Sequence, residues 1–205
     1  MYARWDMRIG FLERHQALKD LVGIIVFLVA VVVGAWLINL LLFRSFSVSG
    51  PSMEPTLHTN DRLIVNRVPV TAAHLQGKDY VPSRGQVIVF ENPHYQPGLP
   101  DEFIVKRVIA FPGERVTIVD GNVKVYNQEN PSGFAVDKKW TGPTSPTDGD
   151  GLDQIVPSGQ LFVMGDHRQP GFSLDSRNGL GTIPYDDIIG PVAFRIYPFT
   201  GIRTF

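Results

Sequence analysis

One serine stands between a glycine and two prolines in the segment Ser49-Gly50-Pro51-Ser52-Met53-Glu54-Pro55. Glycine lets a backbone approach a ligand closely and proline stiffens a turn. Such a loop can hold the Ser52 hydroxyl forward and leave amide N–H groups free for a developing oxyanion, although the same composition also marks ordinary loops. A second segment, Phe103-Ile104-Val105-Lys106-Arg107-Val108-Ile109, sets two cations inside an apolar run. Strand alternation puts Ile104, Lys106 and Val108 on one face and Val105, Arg107 and Ile109 on the other, so a cation must share an apolar face. Burial depresses the pKa of an ammonium, and bringing a lysine from ~10.4 to ~8 costs about 3 kcal/mol and yields a usable base. The plain alternative is a lysine that snorkels at a sheet edge. A third segment, Met164-Gly165-Asp166-His167-Arg168 followed by Ser173-Leu174-Asp175-Ser176-Arg177, gathers acids, serines, a histidine and arginines behind a strand. Ser173 or Ser176 could orient a buried lysine, and Asp175 with Arg177 could form a bidentate ion pair that holds the loop. Its plain alternative is a solvated turn with a surface salt bridge.

Bringing these segments together requires a fold, and the composition says which kind. The chain has 205 residues, 43% of them hydrophobic and 19% charged, with a formal net charge of -1. That suits one domain, or one domain with an appendage, and suffices for a core without disulfides. It is too apolar for a disordered chain and lacks the basic surplus of a nucleic-acid binder. The absence of cysteine excludes a disulfide scaffold, a thiol nucleophile and thiolate metal sites. His15, His58, His74, His94 and His167 lack the spacing of a helical zinc-protease motif, so neither a metal nor another cofactor is expected. The 20 Gly and 16 Pro call for many turns and short strands.

The apolar residues are unevenly spread. No charge occurs from Leu21 to Phe43. A bilayer core of ~30 Å needs about 20 helical residues, so this run reads as a transmembrane anchor. The competing reading is a cleaved signal peptide, whose apolar region is shorter, though Ser45-Phe46-Ser47 is a small-x-small site just beyond the run. Arg4, Arg8, Arg14 and Lys19 precede the span, while only Arg44 and Arg62 follow it closely. The positive-inside rule then makes residues 1–20 a cytoplasmic tail, 21–43 the single-pass anchor and 44–205 an extracytoplasmic domain in contact with the lipid bilayer. Within that domain, Ile64-Val65, Gln86–Phe90, Phe103–Val105, Gln160–Met164 and Val192–Tyr197 read as short strands. Val116–Tyr126 alternates around Asp120-Gly121, a strong hairpin signal. Residues 127–153 read as a long loop or small excursion. The expected fold is mainly β: a coiled antiparallel sheet preceded by one N-terminal transmembrane helix. Ser52 lies nine residues past Phe43, within ~32 Å of the span along the chain, so a membrane-inserted substrate segment would suit it.

In this order behind one span, the three segments resemble bacterial type I signal peptidases (leader peptidases), which are membrane-bound Ser-Lys endopeptidases, and in particular their Gram-positive-like single-span form. Ser52-Met53-Glu54-Pro55-Thr56-Leu57 is similar to the family's nucleophile motif, and Asp61–Asn66 to the strand that follows it. Arg84–Phe90 and Val105-Lys106-Arg107-Val108 with Pro112-Gly113 are similar to the base-bearing segments, and Gly165–Arg168 with Ser173–Arg177 to the supporting loop. The resemblance implies Ser52 as nucleophile, Lys106 as general base, Ser173 hydrogen-bonded to the lysine, Asp175 and Arg177 as the brace, and the Ser52 N–H as an oxyanion donor. It also implies an apolar membrane-facing surface, cleavage of preprotein signal peptides after small-x-small sites, and a secretion translocon nearby. Lysine as base places the chain with the bacterial and organellar branch. Gly50 stands where some members carry a serine that helps the oxyanion, so a backbone or water donor must substitute. The loop between Arg168 and Ser173 is longer than usual in the family, which leaves Ser176 as an alternative to Ser173. Val48, Met53, Leu57 and Val105 flank the two reacting residues and are candidates for shallow pockets that admit small side chains. Three other readings compete: a Ser-His-Asp triad through His167, a non-catalytic membrane-anchored β module that binds exported proteins, and a dedicated pilus or conjugation precursor peptidase of the same chemistry.

Overall fold

The structure, a computed structural model, describes residues 16–98, 100–140 and 142–205. Arg4, Arg8 and Arg14 of the basic tail lie outside the described residues. The chain divides into two compact units, residues 1–41 and 42–205.

The described part of the first unit is helix α1, Gln16–Leu41, with none of its residues buried. Its 26 residues rise ~39 Å, and it is long and apolar enough to cross a membrane. The apolar run reads on to Phe43, but the helix stops at Leu41. Phe43 opens strand β1 (Phe43–Ser47) because its backbone pairs with β2 (Arg62–Asn66), Phe43 opposite Asn66.

The second unit is built on two antiparallel sheets. The larger follows the order β1, β2, β11 (Ile188–Tyr197), β3 (Val87–Glu91), β4 (Phe103–Ala110), β9 (Gln160–Met164), β10 (Ile183–Pro184), with β12 (Arg203–Thr204) also on β11. β3, Val87-Ile88-Val89-Phe90-Glu91, is buried at its first four residues, as a continuous β-branched and aromatic run predicts for a strand covered on both faces. Register shifts on β11 and β4 are the irregularities that coil such a sheet. The smaller sheet runs β7 (Phe134–Ala135), β6 (Asn122–Tyr126), β5 (Arg115–Val119), β8 (Asp153–Ile155). β5 and β6 form the expected hairpin, with Asp120 and Gly121 both at positive φ in its two-residue turn. Residues 127–153 are more than a loop: they contribute β7, a 3-10 turn at Asp137–Lys139 and the first residue of β8.

Helix α2, Val68–Leu75, is not evident from periodicity, since only Val70 is buried. Pro69 starts it, and Gly77 follows its end at φ +63. Three apolar clusters hold the unit. One lies between the small sheet and the ends of β4 and β9 (Ile109, Val116, Ile118, Val125, Phe162, Met164). One lies under the Ser52 loop (Val48, Met53, Leu57, Leu63, Val65, Val89). The third includes Val70, Ile88, Phe90, Val108 and Leu161.

Candidate active site

The Ser52 loop leaves β1 and is closed on itself by local hydrogen bonds. The N–H of Val48 donates to the Asp61 carbonyl, that of Asn60 to Val48, and those of Thr56 and Leu57 to Met53. Gly50 sits at φ +84, a conformation that L side chains rarely adopt, in a place where a Cβ would meet open space. The turn, and not crowding, is therefore what calls for glycine. Met53 and Leu57 anchor the loop from below, both fully buried.

Lys106 comes from β4, opposite Ile88 of β3. Its Nζ donates to Ser52 Oγ at 2.7 Å and to the Val105 carbonyl at 3.1 Å. The residue is only 3% exposed. Burial is the main influence on the amine and pulls its pKa down to about 8; Asp175 opposes the shift and Arg177 adds to it. An amine that loses its proton near neutrality, in contact with a serine hydroxyl, is the arrangement for general-base activation of an alcohol.

The Ser52 loop is pinned from behind by the segment after β9. The N–H of His167 donates to the Ser52 carbonyl at 3.1 Å. Gly165 makes this approach possible: a Cβ there would overlap the Ser52 carbonyl oxygen and the Ser173 hydroxyl. Thr56 donates its hydroxyl to Asp166, which is fully buried and takes a bidentate pair from Arg107. Arg107 also donates to the Gly85 carbonyl and lies over the Trp140 ring. Both cations of β4 are thus buried, one on each face, and each has its own compensation.

Asp175 is fully buried and accepts from the Gly165 N–H at 2.9 Å, the Ser173 hydroxyl at 2.7 Å and two nitrogens of Arg177 at 2.8 Å. Burial alone would raise its pKa; the Arg177 guanidinium and the N–H and O–H donors hold the carboxyl below its ordinary value. Arg177 in turn donates to the carbonyls of Arg168 and Asp148.

Against this geometry, the comparisons with known proteins are consistent. The model of the family described as signal peptidase, peptidase S26, matches residues 18–197. Signal peptidase I of Bacillus amyloliquefaciens is 36% identical over 180 residues, covering 86% of this chain and 88% of that protein.

The chain belongs to the signal peptidase family.

Signal peptidase I U of Bacillus subtilis (strain 168) is 31% identical over 196 residues, covering 94% of this chain and 95% of that protein. A crystal structure of a signal peptidase I from Enterococcus faecalis V583 is similar with a TM-score of 0.37 and 24% identity, covering 54% of this chain and 96% of that one. As a member of the signal peptidase family the protein is an enzyme, a serine peptidase, and its N-terminal apolar helix fits a membrane-anchored form.

The residues singled out in the sequence meet the structure unevenly. Ser52, Lys106, Gly50, Asp175 and Arg177 converge as described. The Ser173 hydroxyl donates to Asp175, and no hydrogen bond joins it to Lys106 among the described residues. Ser176 is no substitute, since its hydroxyl donates to the Gly181 carbonyl and accepts from the Val163 N–H. Ser52 itself takes the place opposite the amine. His167 does not approach the Ser52 hydroxyl as a triad base would: its Nδ1 lies 3.3 Å from the Pro51 carbonyl, and its ring stacks on Phe172.

Ser52 and Lys106 line a cleft of about 430 Å³, with Phe46–Pro51 on one side and Asp101–Val105 on the other. Val48 and Val105 line it as expected. Met53 and Leu57 do not; they are core residues beneath the loop, and Leu63 and Val89 reach the cleft instead. Asp137 was not singled out in the sequence; it acts through Arg168, 31 positions away, so no local pattern marks it. Thr56, Gly165, Asp166 and Arg168 were visible as motif residues, without their roles.

Proposed function

We propose that the protein removes signal peptides from exported preproteins with Ser52 as nucleophile and Lys106 as general base. The observation that carries this reading is the 2.7 Å hydrogen bond between Ser52 Oγ and the Nζ of a lysine buried to 3% exposure. β9 pairs with β4 only from Arg107 onward, opposite Met164, so among the described residues the β4 backbone from Phe103 to Lys106 is paired to β3 alone. That open edge supports a peptide added as a further strand, with its scissile carbonyl brought to Ser52. Neutral Lys106 takes the Ser52 proton, and the alkoxide attacks the carbonyl to give a tetrahedral oxyanion. Lys106 then delivers the proton to the leaving amine as the C–N bond breaks, and water hydrolyses the acyl-enzyme with the same amine as base.

The Ser52 N–H has no acceptor among the described residues and is our candidate for an oxyanion donor. Such a donor is worth about 3–4 kcal/mol of barrier. Asp175 and Arg177 hold the supporting loop, and the Ser173 hydroxyl satisfies Asp175. Buried Val48, Leu63 and Val89 leave a shallow apolar floor, which favours small side chains beside the cut. In this reading α1 is a single-pass anchor with a cytoplasmic N-terminus, and residues 44–205 work outside, at the lipid surface beside the secretion translocon. A preprotein with an Ala-x-Ala site, mixed with the full chain in phospholipid vesicles, should be cut after the second alanine. Ser52→Ala and Lys106→Ala should each lower the rate at least 10³-fold with the fold retained. Cleavage that survives both substitutions would end the Ser-Lys assignment.

A further inference from the structure

We propose that Phe172, propped by His167, selects the substrate residue one place before the residue whose carbonyl is cut, and favours an apolar side chain there. The proposal rests on the reading of the cleft as the site that receives a preprotein strand, and it adds a specificity that the small-x-small pattern leaves open at x.

Side chains of a peptide strand alternate between two directions. On the open edge of β4, one direction faces the floor of Val48, Leu63 and Val89, which are 6%, 1% and 2% exposed. The small residue that carries the scissile carbonyl, and the residue two places before it, point there. The residue between them points the opposite way. Among the described residues, the large hydrophobic side chains of the cleft that are exposed are Phe172 and Leu174, at 44% and 55% exposure, from the loop after β9. A solvent-exposed phenylalanine and leucine on one cleft offer surface that an apolar side chain would cover.

Phe172 is also tied to the reacting serine. Its ring stacks on that of His167, with centroids 3.9 Å apart and planes 7° apart. The backbone N–H of His167 donates to the Ser52 carbonyl, and its Nδ1 lies 3.3 Å from the carbonyl of Pro51. The position of Phe172 is therefore set relative to Ser52 by one ring and two contacts.

The test is a panel of peptides identical except at x in an Ala-x-Ala site, with x as Leu, Phe, Ser or Asp, cleaved by the full chain in vesicles. The wild type should cleave the Leu and Phe peptides with a kcat/KM about tenfold above that for Ser and Asp. In Phe172→Ala the ratio should fall toward one, while Phe172→Leu keeps most of it. His167→Ala should lower the ratio too, and His167→Phe, which keeps a ring beneath Phe172, should restore it. Equal cleavage of all four peptides by the wild type, or a ratio unchanged in Phe172→Ala, overturns this selectivity and leaves the peptidase reading standing. If the wild type cleaves none of the panel, the peptidase reading falls and the selectivity with it.

Discussion

Lys106 carries a conflict between stability and function that pH can expose. Its folded-state pKa of about 8 lies below the ordinary 10.5, because burial penalises the ammonium form. The penalty is therefore fully present below about pH 8, where both folded and unfolded chains hold the proton. It fades as pH rises from about 8 to 10.5 and vanishes where both are neutral. A difference of this size is worth about 3 kcal/mol. Lys106→Met should accordingly raise the urea midpoint at pH 7 while abolishing cleavage, and its stability advantage over the wild type should shrink steadily above pH 8. Wild-type kcat/KM should rise with pH to a plateau, with a midpoint near 8. A flat profile down to pH 5, or a stability gain that does not depend on pH, would contradict the role assigned to this amine.

The element that matters most after β4 is the segment from Gly165 to Arg177, which reaches the Ser52 loop on one side and residues 127–153 on the other. Arg168 is its hinge pin: fully buried, with its guanidinium donating to both oxygens of Asp137, to Thr147 and to the Gly165 carbonyl. Asp137 belongs to the stretch that reads from its composition as a long loop or small excursion. Asp137→Ala would leave a buried guanidinium without its carboxylate, a loss of about 3 kcal/mol or more. Because Gly165 and His167 sit directly behind Ser52, kcat should fall as well, although Asp137 touches neither reacting residue. Urea unfolding and cleavage kinetics on the same variant check both parts; a normal kcat at reduced stability would show that the support is local to Arg168.

At the scale of the molecule, all three apolar clusters lie within residues 42–205, as do the cleft and its supports. The catalytic unit should thus fold without α1. A chain of residues 42–205 should unfold cooperatively in urea and cleave a soluble Ala-x-Ala peptide in a Ser52-dependent way. On a preprotein embedded in vesicles its rate should fall by about 10²-fold or more against the full chain. In the proposed membrane-anchored form α1 confines enzyme and substrate to one surface, and that effective concentration is lost with it. Equal rates for the two forms on the embedded substrate would remove the anchor from the function.

Local signals carry much of this protein. The long apolar helix is legible because its apolar run is uninterrupted, the β5–β6 hairpin because Asp-Gly suits a turn with two positive φ values, and β3 because buried strands read as β-branched runs. Two adjacent cations on a strand with two apolar faces already require that one be buried. Which distant groups those cations meet is another matter. Thr56 and Asp166 are 110 positions apart, and Arg168 and Asp137 are 31 apart. Only the folded chain brings them together. Tertiary structure likewise decided that Ser173 serves Asp175 and not Lys106, that Met53 and Leu57 lie under the loop and not along the cleft, and that Phe172 stacks on His167. The reason is physical: composition and periodicity report the demands of each residue's own backbone and solvent environment, whereas a hydrogen-bond partner is chosen by a geometry that exists only once the sheets have closed.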